Sequence, residues 1–245
     1  MNAAIVGLTV RQLLGAKRTM LLVLVALIPV VIAAIRRFSG NDVDTDHWTA
    51  TTLLGQLVVG TLLPLGALIF GTATLGSEFE DGTAVYLLSK PIARWRIVAS
   101  KLVVAWGATS LLVLVSTVAS AAVSLESVGE GAILAGFVIA VVLGALVYCS
   151  FFVLLSILTS RALIVGLLYV FIWEGVLTRL FGGLRILSVR KYALGVADQI
   201  ITAPSTVFEA DLGGGRAMFL IVAVTALTFV YAARRLRSWE IGEST

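Results

Sequence analysis

Apolar residues along this chain are gathered into long runs interrupted by short charged segments. The runs cover approximately residues 19–35, 53–75, 97–123, 131–158, 162–181 and 217–233. A hydrocarbon layer about 30 Å thick needs roughly 20 apolar residues of helix, so the pattern predicts six membrane-spanning helices. The third and fourth runs are parted only by the polar patch at 124–130, which predicts a tight helical hairpin. Ahead of the first run, Val6, Val10, Leu13 and Leu14 recur at helical spacing with Thr9, Arg11 and Gln12 elsewhere around the wheel. Residues 2–15 are therefore expected to form a helix lying on the inner membrane surface.

Composition strengthens this picture. The chain is 59% hydrophobic and 13% charged, with a mean hydropathy of +1.05, values that no water-soluble fold can bury. The first run follows Arg11, Lys17 and Arg18, as a secretory signal does. It is longer than a signal core and lacks small-x-small cleavage spacing around Ala33 and Ala34, which predicts a retained anchor. The net charge of +4 is read as a membrane-surface feature, with no nucleic-acid partner expected. The single cysteine, Cys149, falls inside an apolar run, so neither a disulfide framework nor a thiolate metal site is expected.

Charge placement orients the spans. With both termini in the cytoplasm, eleven of the eighteen Lys and Arg residues fall on the inner side and seven on the outer. Five of those seven, Arg179, Arg185, Arg190, Lys191 and Arg216, lie in or beside 182–216, long enough for a small folded cap. No internal repeat, Pro-rich linker or low-complexity tract divides the chain, so one membrane domain over 1–245 is expected.

The charges are densest between the second and third runs, at Glu78, Phe79, Glu80, Asp81, Gly82 and Thr83, then Leu87, Leu88, Ser89, Lys90, Pro91, Arg94 and Arg96. Residues 78–88 are expected to form a short helix with its acidic residues near the N-terminus, and Pro91 suits the first turn of the helix that follows. Phe79, Val85, Leu87 and Leu88 place apolar side chains outside the bilayer, which points to a partner surface or close packing on the inner leaflet. Glu174 sits about 18 Å past the start of the fifth run, in the outer half of the membrane. A carboxylate there either faces a cavity, as a gate or substrate contact, or is a structural group paired with backbone donors or Arg179. Gln56 is the other polar residue of interest for a path, whereas Thr61, Thr72 and Thr74 can bond back to their own helix. Gly182 and Gly183 permit a sharp reversal.

On these residues the chain resembles the membrane subunit of type-2 ABC transporters. Glu78, Gly82, Thr83, Leu87, Leu88, Ser89, Pro91 and Arg94 are similar to that family's coupling helix. Trp173, Glu174, Gly175 and the stretch from Gly182 to Arg190 are similar to its end of span five and outer re-entrant segment. The resemblance implies an all-α permease of six spans that forms the translocation path, more often for export. Its implied partners are two copies of a cytoplasmic ATPase, docked on Glu78–Arg94, a second permease chain, identical or sister, and membrane lipid. It also implies that ATP and magnesium reside on the ATPase, in the plasma membrane of a bacterial-type cell. The chain has no Gly-x-x-x-x-Gly-Lys-Ser/Thr phosphate loop of its own.

Two other classes compete. A secondary transporter or channel would suit six spans, but it leaves the charged loop without a task and calls for repeats that are absent. An intramembrane metalloenzyme needs clustered ligands, and the single histidine, His47, stands with Asp42, Asp44 and Asp46 in a stretch lacking the Gly and Glu of a calcium loop. No Gly-x-Ser-x-Gly nucleophile elbow occurs, and no catalytic residue or metal site is expected.

Overall fold

The computed structural model describes residues 17–39, 45–80, 93–124, 131–201 and 208–237, and every regular element among them is helical. The first helix, α1, is Lys17–Phe38. The second, α2, runs unbroken through Thr45–Trp48, Thr49–Leu62 and Leu63–Glu80. It is followed by α3 (Arg94–Ser124) and α4 (Gly131–Leu158). The next helix, α5, comprises Ala162–Leu168, Tyr169–Leu177 and Thr178–Leu180. A 3₁₀ turn (Gly182–Leu187), α6 (Val189–Ile200) and α7 (Gly214–Arg237) complete the order.

Five helical stretches are long and apolar enough to cross a membrane: Met20–Phe38, Thr45–Thr74, Arg94–Ser124, Gly131–Leu158 and Gly214–Leu236. The fifth apolar run is the shorter helix Ala162–Leu177. The chain is thus a polytopic, all-helical membrane protein. The N-terminal interfacial helix expected at 2–15 lies outside the described residues, as do Asp81, Gly82, Thr83, Leu87, Leu88 and Pro91.

Helix α4 sits at the centre, packed by α2, α3, α6 and α7. Lipid tails are as apolar as leucine, so close backbone approach has to supply the packing. Gly136, Ala140 and Gly144 stand four residues apart on α4, and α6 lies against them. A Cβ at Gly136 would fall 2.9 Å from the Ala197 carbonyl oxygen, and one at Gly144 would fall 3.1 Å from the Ala193 methyl. Gly71 of α2 meets Phe152, and Gly166 of α5 meets Leu68 and Phe152. Side-chain hydrogen bonds join the helices at several points. Ser116 donates to the Ala26 carbonyl (2.6 Å), Trp106 to the Val142 carbonyl (2.9 Å), and Thr109 lies 3.3 Å from the buried Cys149 sulfur. The Thr61, Thr72 and Thr74 hydroxyls donate to carbonyls of their own helix.

Two stretches, Thr49–Leu62 in α2 and Tyr169–Leu177 in α5, have the wider π-helical turn, with hydrogen bonds to the fifth residue back, as from the Leu63 N–H to the Val58 carbonyl. Such turns are rare and mostly single. Pro64 gives a local reason in α2, because it lacks an N–H and its ring crowds the carbonyl four residues earlier. Widened turns just ahead of it relieve that crowding. Helix α2 also continues through Glu78, Phe79 and Glu80, where a separate helix from residue 78 was expected. Extending an existing helix avoids the cost of nucleating a new one, so these residues close α2.

Candidate functional site

Glu174 lies in the π-helical part of α5 and is only 4% exposed. The wide turn puts residues five apart on one face, so Tyr169 donates its hydroxyl to Glu174 Oε1 at 3.2 Å. Tyr148 of α4 donates to the same oxygen at 3.2 Å, and the Val189 backbone N–H at 2.9 Å. The Ser188 hydroxyl donates to Oε2 at 2.5 Å. Ser188 is also the N-cap of α6, accepting from the Lys191 N–H at 3.3 Å. One carboxylate thus joins α4, α5 and the start of α6, where the helix dipole favours negative charge. With four donors on its two oxygens, Glu174 ties these three elements together as an anchor point.

In front of this anchor is a half-open cavity of about 250 Å³ lined by Gln56, Thr178, Arg185, Ser188, Arg190 and Lys191. Thr178 and Ser188 form its wall toward Glu174: Thr178 donates to the Glu174 carbonyl (2.9 Å), and Ser188 to its carboxylate. Arg190 donates to the Gly55 carbonyl at 3.3 Å, and its guanidinium lies against Gly60, where a Cβ would come within 3.0 Å of it. Lys191 and Arg185 both pair with Asp211, Arg185 at 3.5 Å. The Lys191 ammonium holds the Asp211 carboxyl below the usual carboxylate range.

Gln56 and Glu174, the two path candidates, therefore stand on opposite sides of one polar wall, each in a π-helical stretch. Tyr148, Tyr169, Thr178, Arg185, Ser188, Arg190 and Lys191 were not singled out as site residues. Arg185, Arg190 and Lys191 had a signal only as charges of the outer cap, and Tyr148 and Tyr169 only as a hydroxyl in each of two apolar runs, since a buried hydroxyl needs a partner. The reversal before α6 is made at Phe181 and Ser188, whose extended backbone brackets the 3₁₀ turn. Side chains at Gly182 and Gly183 would meet open space.

At the loop end, Glu78, Phe79 and Glu80 close α2 and Arg94, half-buried, opens α3. Trp95 and Arg96 beside it are exposed, the guanidinium 5.4 Å over the indole ring. Among the described residues no three His, Cys, Asp or Glu side chains group to hold a metal ion.

No curated protein matches the chain. Its residues 3–237, nearly the whole length, match the model of the family described as "ABC-2 family transporter protein". The chain belongs to that family and is a membrane permease of the ABC transporter class.

Proposed function

We propose that the chain is the membrane-spanning subunit of an ATP-driven exporter in the plasma membrane, with both termini cytoplasmic. It pairs with itself or a sister permease and with two copies of a cytoplasmic ATPase that carries the ATP and magnesium. Glu78–Arg94 is its docking element for that ATPase.

The observation that supports this reading is the continuity of α2. One helix carries Gln56 and the Gly55 carbonyl beside the cavity and, roughly 30 Å further along its axis, Glu78 to Glu80 beside the loop. A force on Glu78 to Glu80 acts on the same continuous helix that borders the cavity, as a lever requires. With the termini inside, the cavity faces the outer half of the membrane and the loop faces the cytoplasm, which suits drive from the inner side.

The test is copurification. The full chain is expressed with its candidate ATPase, as wild type and as a Glu78→Ala, Gly82→Trp double variant. The expected outcome is that wild type retains the ATPase and the variant loses it while eluting as the same monodisperse species. If wild type fails to hold a verified cognate ATPase, the coupling reading falls and a secondary transporter becomes the working alternative.

A further inference from the structure

We propose that Lys101 positions the Glu78–Arg94 loop: its ammonium is the counter-charge of the acidic last turn of α2, with Glu80 as the partner, and the pair holds the two feet of the loop together. Lys101 is only 1% exposed, among the largest side chains that the fold hides completely. It stands seven residues, about 10 Å, past the start of α3 at Arg94, within a stretch apolar enough to cross a membrane. A lysine buried in such a stretch is held by a counter-charge or by carbonyl oxygens. The positioning role rests on the docking reading of Glu78–Arg94, whereas the pairing is independent of it.

The packing of α2 against α3 sets which carboxylate comes to Lys101. A Cβ at Gly66 would stand 3.7 Å from Thr109 and 3.8 Å from Val113, and toward the loop end Phe70 and Val104 share one apolar cluster, flanked by Ala73 and Ala108. The two helices are therefore antiparallel, with residues 66, 70 and 73 of α2 facing 104, 108 and 112 of α3. Helical spacing carries the first stripe on to Ser77 and Glu80 and the second back to Lys101. The same register sets Glu80 about one turn, roughly 5 Å, nearer the loop than Lys101. Side chains lean toward the N-terminus of their own helix, which for α3 is the loop end, and the four-carbon lysine stem spans that step.

Charge balance points the same way. Among the described residues the other acidic ones are Glu78, two positions round the same turn, and Asp46, Glu174, Asp198, Glu209 and Asp211, which belong to the start of α2, to α5 and to the segments around α6. A carboxylate at the end of a helix is opposed by the helix dipole, so the last turn of α2 calls for a cation as Lys101 calls for an anion. With the pair formed, α2 and α3 are tied together at the loop, and a load on it moves both helices as one unit.

Unfolding midpoints of the full chain in detergent test the pairing, and ATPase copurification tests the positioning. Lys101→Met should lower the midpoint, because it leaves a carboxylate without its counter-charge, while Lys101→Arg keeps both the midpoint and the ATPase. Glu80→Gln alone should lower the midpoint too, and adding it to Lys101→Met should restore most of the loss, since a buried pair replaced at both ends is close to neutral. That restored double variant should still retain roughly tenfold less of a verified cognate ATPase than wild type, a loss that a purely structural role would not produce. Restoration by Glu78→Gln in place of Glu80→Gln supports the clamp and moves its partner half a turn. An unchanged midpoint in Lys101→Met, or effects that simply add with both glutamate variants, overturns the pairing. Full ATPase retention in the double variant overturns the positioning role. If wild type holds no cognate ATPase, the docking reading fails and the midpoints alone decide the pairing.

Discussion

Helices α4 and α5 are both apolar, yet they are held by opposite means. Helix α4 is surrounded, and its position is set by shape: Gly136 and Gly144 admit α6, while Phe152 fits over Gly71. Helix α5 is seated by Gly166 at its start and then turns Ile164, Leu168, Phe171, Ile172 and Val176 outward, Phe171 to 60% exposure. From Tyr169 to Thr178 its buried side chains are Val170, Glu174 and Thr178. In lipid an apolar surface gains nothing by turning inward, so hydrophobicity alone gives a helix no orientation. Small residues orient one of these helices, and one carboxylate orients the other.

Removing the carboxylate breaks the comparison most severely. Glu174→Ala leaves two tyrosine hydroxyls, a serine hydroxyl and a backbone N–H without their acceptor, at a cost of roughly 3 kcal/mol. A lowered unfolding midpoint in detergent would register it, with Glu174→Gln falling between the variant and wild type because it keeps a carbonyl acceptor. An unchanged midpoint for the alanine variant would mean that α5 is oriented by something else.

A pair of alanine substitutions sharpens the contrast between shape and charge. At Gly136 the new methyl meets the Ala197 carbonyl and Ile201, and about 1–3 kcal/mol of overpacking is expected. At Gly175 the nearest atom is 3.6 Å away, so alanine should be neutral or gain up to about 1 kcal/mol of helix propensity. The same unfolding measurement reads both, and equal effects would erase the distinction. Next in size is Ser188→Ala, which removes both the cap of α6 and the Oε2 partner, for about 1 kcal/mol.

The smallest effect lies outside both helices. Because Lys191 depresses the Asp211 carboxyl, the ion pair is present at neutral pH and lost as pH falls through that lowered value, below the ordinary aspartate range of about 3.9. The midpoint difference between wild type and Asp211→Asn should therefore be positive above pH about 4 and close toward zero below it.

The spans were legible because membrane thickness converts directly into a length of apolar sequence, and each run has its helix. Helix α2 begins at Thr45, eight residues before its expected start, because Thr45, Asp46 and His47 are polar and carry no apolar signal. Helix α6 was readable only as a folded cap, since its 12 residues mix Arg190, Lys191 and Asp198 with Tyr192, Leu194 and Val196 and reach no spanning length. Glu174 was visible as an isolated charge in an apolar run. Its partners were not, because Tyr148, Ser188 and Val189 reach it from segments 14 to 26 residues away that share no periodicity with it.

The π-helical stretch of α2 also bears on how the chain can vary in length. A turn holding more than four residues can give one up and still close as an α-turn. The spacing between Trp48 and Leu63 is thus not rigidly counted: a one-residue deletion within Thr49–Leu62 can be absorbed by tightening the helix. Within the central α4, where Gly136 and Gly144 face fixed neighbours, the same deletion would rotate every later side chain by about 100° and destroy the match. Related chains of slightly different length are therefore expected to differ within the wide turns and to agree in count along α4.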